Sequence, residues 1–187
     1  MKFYLIILII SLGIIGNSCS ISKTIESLEP SCKNCKAEKL KANHWKVYTD
    51  IDIDAPIEKV WEVLTDFEKM PNWSTSGLQG VEGDFVNGGK ISAKFKPDAE
   101  KEKMNEYEHN IIIDGYSFGW EGDAFSMGMT DRHFYKLIAL TDKKTRLIQI
   151  DEPNSGMTWM FGKTVSKIMA IGYNKFNNEL KTQVEGN

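Results

Sequence analysis

Lysine and arginine are outnumbered in this chain: 23 basic residues face 26 acidic ones, a formal charge of −3 at pH 7. A nucleic-acid binder normally presents a basic surface, so the balance excludes that class of partner. Internal repeats, low-complexity blocks and sustained heptads are missing, which excludes solenoids and coiled coils. Histidine and cysteine number three each, too sparsely spread to assemble a metal centre: around Cys32-Lys33-Asn34-Cys35 zinc would need two further ligands, and only His44 is near. Long apolar runs are missing too. The run Phe3–Ile15 is thirteen residues, short of the roughly 20 that cross a bilayer. What remains is a chain of 187 residues, 41% hydrophobic and 11% aromatic, enough for one domain with a real core and a small appendage.

The run Phe3–Ile15 follows Lys2 and has the length of a signal-peptide h-region. Gly16-Asn17-Ser18-Cys19 closes it and resembles a bacterial lipobox, in which the cysteine becomes the lipidated first residue of the mature protein. Residues 1–18 are therefore expected to be a lipoprotein signal peptide. Cys19 is the expected lipidation site, placed where the apolar run ends and a polar segment begins. The alternatives are an ordinary signal peptide cleaved near Ser18 and an uncleaved anchor. Several acyl chains at about 0.8 kcal/mol per buried CH₂ would hold the protein on a membrane essentially permanently. The expected location is the bacterial cell envelope, on the outer membrane where the cell has one. Residues 19–43 are polar and without period, a tether. Within it Cys32 and Cys35 are the even pair of thiols that an oxidising compartment favours, as a local disulfide or as two idle thiols.

From residue 44 the chain reads as one domain. Val47, Thr49, Ile51 and Ile53 alternate with Tyr48, Asp50, Asp52 and Asp54, a half-buried strand. Pro56 fixes φ and lacks an N–H, which suits the first turn of a helix. Ile57, Val60, Trp61 and Leu64 then give that helix one apolar stripe. A second short turn ends at Pro71, just before Trp73. After Gly77 the period returns to two, in runs separated by Asn87-Gly88-Gly89, Asp114-Gly115 and Asp142-Lys143-Lys144 at hairpin spacing, an antiparallel meander. The segment Thr145–Glu152 is similarly apolar on both faces and has no readable orientation. Phe161, Val165, Ile168, Gly172, Phe176 and Leu180 predict a long closing helix whose stripe packs on the concave face of the sheet.

Strand, two short helices, six strands and a long C-terminal helix is the helix-grip order, an α+β fold. Residues 54–67 (DAPIEKVWEVLTDF), Pro71-Asn72-Trp73, Phe118-Gly119-Trp120, Arg132-His133-Phe134-Tyr135 and the closing Phe176–Lys181 resemble the START-like SRPBCC superfamily, the polyketide cyclase/dehydrase and lipid-transport group. The resemblance spans roughly residues 45 to 183. It implies a curled sheet around the long helix with a cavity between them, roofed by the two short helices.

Phase within each strand, and for Trp73 its place after the roof helices, predicts a pocket lined by Trp73, Phe95, Tyr107, Trp120, His133 and Tyr135. An enzyme would draw on His109, His133 or Tyr135, but no carboxylate pairs with either histidine at a telling spacing. A catalytic set is therefore not assigned. The expected function is a membrane-anchored carrier of a small hydrophobic ligand, lipid- or polyketide-like, working without metal or cofactor. The alternatives are a cyclase or dehydratase using the same cavity, and a packed domain that only contacts proteins.

Overall fold

The structure, a computed structural model, describes residues 34–75, 77–96, 105–123, 128–156 and 158–186. Met1–Lys33 and Asn34–Asn187 are two separate units. The expected signal peptide, Cys19, Cys32 and the first part of the tether lie outside the described residues. Among those residues, no helix is long and apolar enough to cross a membrane.

The second unit is an antiparallel sheet and two helices. Its strands are β1 (Lys36–Lys41), β2 (His44–Ile53), β3 (Gly77–Gly83), β4 (Lys90–Lys96), β5 (Asn105–Ile113), β6 (Ser117–Asp123), β7 (Met129–Thr141), β8 (Lys144–Asp151) and β9 (Asn154–Ser155). They are ordered β1-β2-β8-β7-β6-β5-β4-β3, with β9 pairing β2 and β7. Consecutive strands from β3 to β8 are neighbours, as a meander requires. The first long strand, β2, returns to pair with the last, β8. Helix α1 (Ile57–Thr65) and the 3-10 turn Met70–Asn72 follow β2, and helix α2 (Thr158–Glu185) closes the chain.

Pro56 precedes α1 with φ −57° and ψ 150°, the extended entry that a ring-locked residue supplies at no extra cost. Val60 and Leu64 are buried while Ile57 and Trp61 are half-buried, so the apolar stripe does hold the helix on the sheet. Asp66 Oδ1 accepts from the Lys69 N–H at 3.2 Å and caps the turn that follows. Lys181 Nζ donates to the Asp52 carbonyl at 2.5 Å, and the Asp54 N–H donates to Glu185 Oε1 at 2.7 Å. These two bonds tie the C-terminal end of α2 to the end of β2.

Two expectations need correction. The polar tether was placed through Asn43, with the domain beginning at residue 44, yet Lys36–Lys41 forms β1 against β2. An edge strand with almost every residue exposed needs no apolar face, so polarity could not separate it from a linker. The second correction concerns α2. Its buried residues are Thr158, Gly162, Ser166, Ala170, Phe176, Asn177, Leu180 and Val184. Phe161 and Ile168, placed in the buried stripe from their period, are exposed. The apolar period finds the buried face only from Phe176 onward. Earlier, large side chains rise from the sheet and the helix answers with small ones. At Gly162 an added Cβ would stand 2.2 Å from Trp45 Nε1, so only glycine allows that approach.

Candidate functional site beneath the long helix

The register of three strand pairs builds the site. Trp120 stands opposite His133, and His133 opposite Asp151. Phe118 stands opposite Tyr135, and Tyr135 opposite Gln149. Across β2, Val47 pairs Asp151 and Thr49 pairs Gln149. Two transverse rows of side chains thus run under α2, aromatic at the β6 end and polar at the β8 end. This orients β8: Thr145, Leu147, Gln149 and Asp151 are buried, and Ile148 and Ile150 lie on the opposite, half-exposed face.

The aromatic end holds five of the residues expected to line a pocket. Phe95 contacts Trp120 with ring centroids 5.7 Å apart, and Trp120 contacts His133 at 5.2 Å and Tyr135 at 6.0 Å. His133 stacks on Tyr135 at 4.7 Å. Trp73 reaches the group through Phe176, at 5.3 Å on one side and 5.7 Å to Tyr135 on the other. Trp120, His133 and Tyr135 are buried, whereas Trp73 and Phe95 are half-buried at the margin. Tyr107 and His109 stand opposite Ala93 and Ile91 in β4, two strands away from the β7 residues.

The polar end was not foreseen. His133 Nε2 lies 3.1 Å from Gln149 Oε1, Gln149 Nε2 donates to Asn177 Oδ1 at 2.6 Å, and Asn177 Nδ2 donates to Thr49 Oγ1 at 3.0 Å. Because the Gln149 oxygen accepts in this chain, Nε2 of His133 carries its hydrogen. The other ring nitrogen, Nδ1, faces Asp151 Oδ2 at 3.8 Å. The Tyr173 hydroxyl donates to that same Oδ2. Asp151 Oδ1 is buried with no hydrogen-bond partner among the described residues, as are Trp45 Nε1 on β2 and Ser166 Oγ on α2.

Burial dominates the electrostatics. It pushes the His133 imidazole below its ordinary range, against opposing pulls from Asp151 and the Gln149 hydrogen bond. It pushes the Asp151 carboxyl up, with His133 and the Tyr173 hydroxyl opposing. Both groups are driven toward their neutral forms. The Tyr135 hydroxyl is raised well above its usual range by the same burial, so it stays a phenol. The ensemble is a dry acceptor, Asp151, bonded by the Tyr173 hydroxyl and flanked by a neutral imidazole, beside an aromatic wall. Such a group binds a hydrogen-bond donor strongly, because water does not compete.

The signals for Asp151, Gln149, Thr49, Tyr173 and Asn177 were present but ambiguous. Thr145, Gln149 and Asp151 recur at period two, which on a strand apolar on both sides reads equally as a wet face. Tyr173 and Asn177, four apart, share one face of α2. Among the described residues, no group of three or more histidine, cysteine, aspartate or glutamate side chains is placed to hold a metal ion. Cys35 is disulfide-bonded.

A family profile described as polyketide cyclase / dehydrase and lipid transport matches residues 44–185. No curated protein matches the chain by sequence. Among solved structures, a START superfamily protein from Mycobacterium smegmatis superposes with a TM-score of 0.60 at 15% identity, covering 75% of this chain and 97% of the other. The Zhui aromatase/cyclase from Streptomyces sp. R1128 gives 0.57 at 14% identity, covering 76% and 94%. At such identities the superpositions establish a shared fold.

Proposed function

The chain belongs to the polyketide cyclase/dehydrase and lipid-transport family, and from that premise we propose that it is a lipid-anchored carrier of a small amphipathic ligand. The apolar body of the ligand lies against Trp73, Phe95, Trp120 and Tyr135. Its polar end is a hydrogen-bond donor, a hydroxyl, directed at Asp151. A carboxylate head is disfavoured, since it would bring a second anion to a buried acid. One observation carries this reading: a fully buried carboxylate at the end of an aromatic wall, with one oxygen that no side chain satisfies. Polar groups are seldom buried without a partner unless they serve a site.

Half-buried Trp73 and Phe95 mark the margin through which the ligand enters. Acylation of Cys19 holds the carrier at the bacterial cell envelope, on the outer membrane where one exists. A second reading has one observation in its favour. His133 and Asp151 are titratable groups whose ordinary values burial has moved, as in acid–base enzymes, and a cyclase or dehydratase would use them on a polyketide-like substrate.

Native mass spectrometry of freshly purified protein, followed by titration with a fluorescent long-chain alcohol and its matched fatty acid, tests the proposal. Saturable binding that favours the alcohol is expected, with the alcohol recovered unchanged. Binding of neither probe by a protein that carries no small molecule rejects the carrier and leaves a packed interaction domain. Chemical turnover of a polyketide-like probe, abolished in His133→Gln, would establish the enzyme instead.

A further inference from the structure

Three buried polar atoms lie beneath the first half of α2, and no side chain among the described residues bonds them: Asp151 Oδ1, Trp45 Nε1 and Ser166 Oγ. The carrier reading uses only the first. Asp151 and Ser166 are completely buried, and the indole nitrogen is covered although the Trp45 ring is only half-buried. Ser166 says the most. A hydroxyl inside a helix can bond back to the carbonyl four residues earlier, as Thr65 does to Trp61 at 2.8 Å and Thr182 to Asn178 at 2.9 Å. The Ser166 hydroxyl makes no such bond to Gly162. It stays available in a dry interior, where an unmade bond is costly.

Helix and sheet each bring these groups together. On α2, Gly162, Ser166, Ala170 and Tyr173 recur at helical spacing and share one face. A Cβ added at Gly162 would stand 2.2 Å from Trp45 Nε1, and the next turn carries Ser166. Helical side chains lean toward the N-terminus, so the Tyr173 phenol reaches back toward that turn when it donates to Asp151 Oδ2. Between Gly162 and Tyr173 this face carries only Ser166 and Ala170, so the helix sends no large side chain down on the strip. On the sheet, Val47 pairs Asp151, and Trp45 is two residues from Val47 on the same face. Trp45 and Asp151 are therefore diagonal neighbours, rooted roughly 7–8 Å apart.

An indole N–H only donates, a carboxylate oxygen accepts, and a serine hydroxyl does both. A ligand whose single hydroxyl is bonded to Asp151 leaves the indole unmatched. We propose that Trp45 and Ser166 form a second polar subsite beside Asp151, and that the head of the ligand is a vicinal diol. One hydroxyl donates to Asp151 Oδ1. Its neighbour accepts from the Trp45 N–H and donates to Ser166 Oγ. This rests on the carrier reading and narrows its ligand from an alcohol to an uncharged lipid with two adjacent hydroxyls. Such a head fills three unmet bonds without bringing a charge into the interior.

Displacement of the fluorescent long-chain alcohol from the purified protein, by a long-chain vicinal diol and by the matched mono-alcohol, provides the test. The diol should displace the probe at about a tenfold lower concentration than the mono-alcohol, since it makes further bonds to buried partners. In Ser166→Ala, and in Trp45→Phe, which keeps an aromatic ring without the N–H, that advantage should fall below about threefold. Thermal melts establish that both variants fold, and the parent's own ratio needs no variant. Equal displacement by the two competitors in the parent overturns the subsite, as does an advantage that survives in both variants. A parent that does not bind the probe at all rejects the carrier reading and the subsite with it. Bound probe without a preference for the diol rejects the subsite alone.

Discussion

His133 and Asp151 stand directly opposite each other on adjacent strands, with Nδ1 3.8 Å from Oδ2 and both side chains 1% exposed. Besides Asp151, His133 meets Gln149 from β8, Tyr173 from α2, Trp120 from β6 and Phe95 from β4. Burial keeps the folded imidazole below its ordinary 6.5. Between that lower value and 6.5 the unfolded chain binds a proton that the folded domain refuses. Stability contributed by neutral His133 is therefore present above about pH 6.5 and is lost as pH falls below it, by at most about 1.4 kcal/mol per pH unit. Thermal melts of the parent and His133→Gln between about pH 7.5 and about pH 5.5 read the effect. The parent should lose more Tm than the variant across that range, and parallel curves would show that the histidine is not held neutral.

Asp151 acts with the opposite sign. Burial raises its folded value above the ordinary 3.8, so the ionised form is penalised above the folded value, and the penalty disappears below 3.8, where both states are protonated. Asp151→Asn keeps the shape and leaves an oxygen for the Tyr173 hydroxyl. At neutral pH it should melt higher than the parent, with the advantage gone in acid. It should also bind the fluorescent alcohol at least about tenfold more weakly, since an amide NH₂ takes the place of the oxygen that accepts from the ligand's hydroxyl. A stabilised protein that no longer binds is the signature of a residue kept for function. A variant that melts lower and binds unchanged would make Asp151 a structural ion partner.

How far the sequence could be read follows from what each residue does for packing. The strand–helix–meander–helix order was legible because Ile57, Val60, Trp61 and Leu64, and the alternating residues of β4 to β7, are apolar where they meet the core. The aromatic half of the site was legible for the same reason: Trp120, His133 and Tyr135 fall in phase and do share one buried face. The polar half was not. Asp151 and Gln149 are polar residues buried by partners from α2, and no local period encodes a contact to Tyr173 or Asn177 some 22 to 28 positions away. The first half of α2 misled for a related reason, since there the buried positions are small residues, Gly162 against the Trp45 indole among them, and size carries no apolar period.

Gly162 and Trp45 supply a third test. A Cβ at 162 would meet Nε1 at 2.2 Å and Cδ1 at 2.4 Å. Alanine raises helix propensity by about 1 kcal/mol over glycine, yet forcing an extra methyl against a rigid indole costs about 1–3 kcal/mol. The clash outweighs the propensity because Trp45 is held between β2 and the helix. Gly162→Ala should therefore lower the midpoint of urea denaturation, and Trp45→Leu/Gly162→Ala should recover part of the loss relative to Trp45→Leu alone. Additive effects in that cycle would show that the helix does not rest on the indole.

The N-terminal region gives the last prediction. Its expected roles are a signal, an acyl site at Cys19 and a tether, and β1 shows that the domain proper begins earlier than residue 44. Two truncations separate these roles. Removing residues 1–33 ends at the boundary between the two units and leaves the whole β1–β2 ladder in place, so cooperative unfolding should persist. Removing residues 1–43 strips β1 from β2, unpairs one edge of β2 from His44 to Tyr48 and should lower stability measurably, because a bared strand edge loses its ladder bonds. In the full chain Cys19→Ser should either release the protein from membranes or leave it as uncleaved precursor. A Cys19→Ser protein of mature length that still sediments with membranes would mean that acylation is not the anchor.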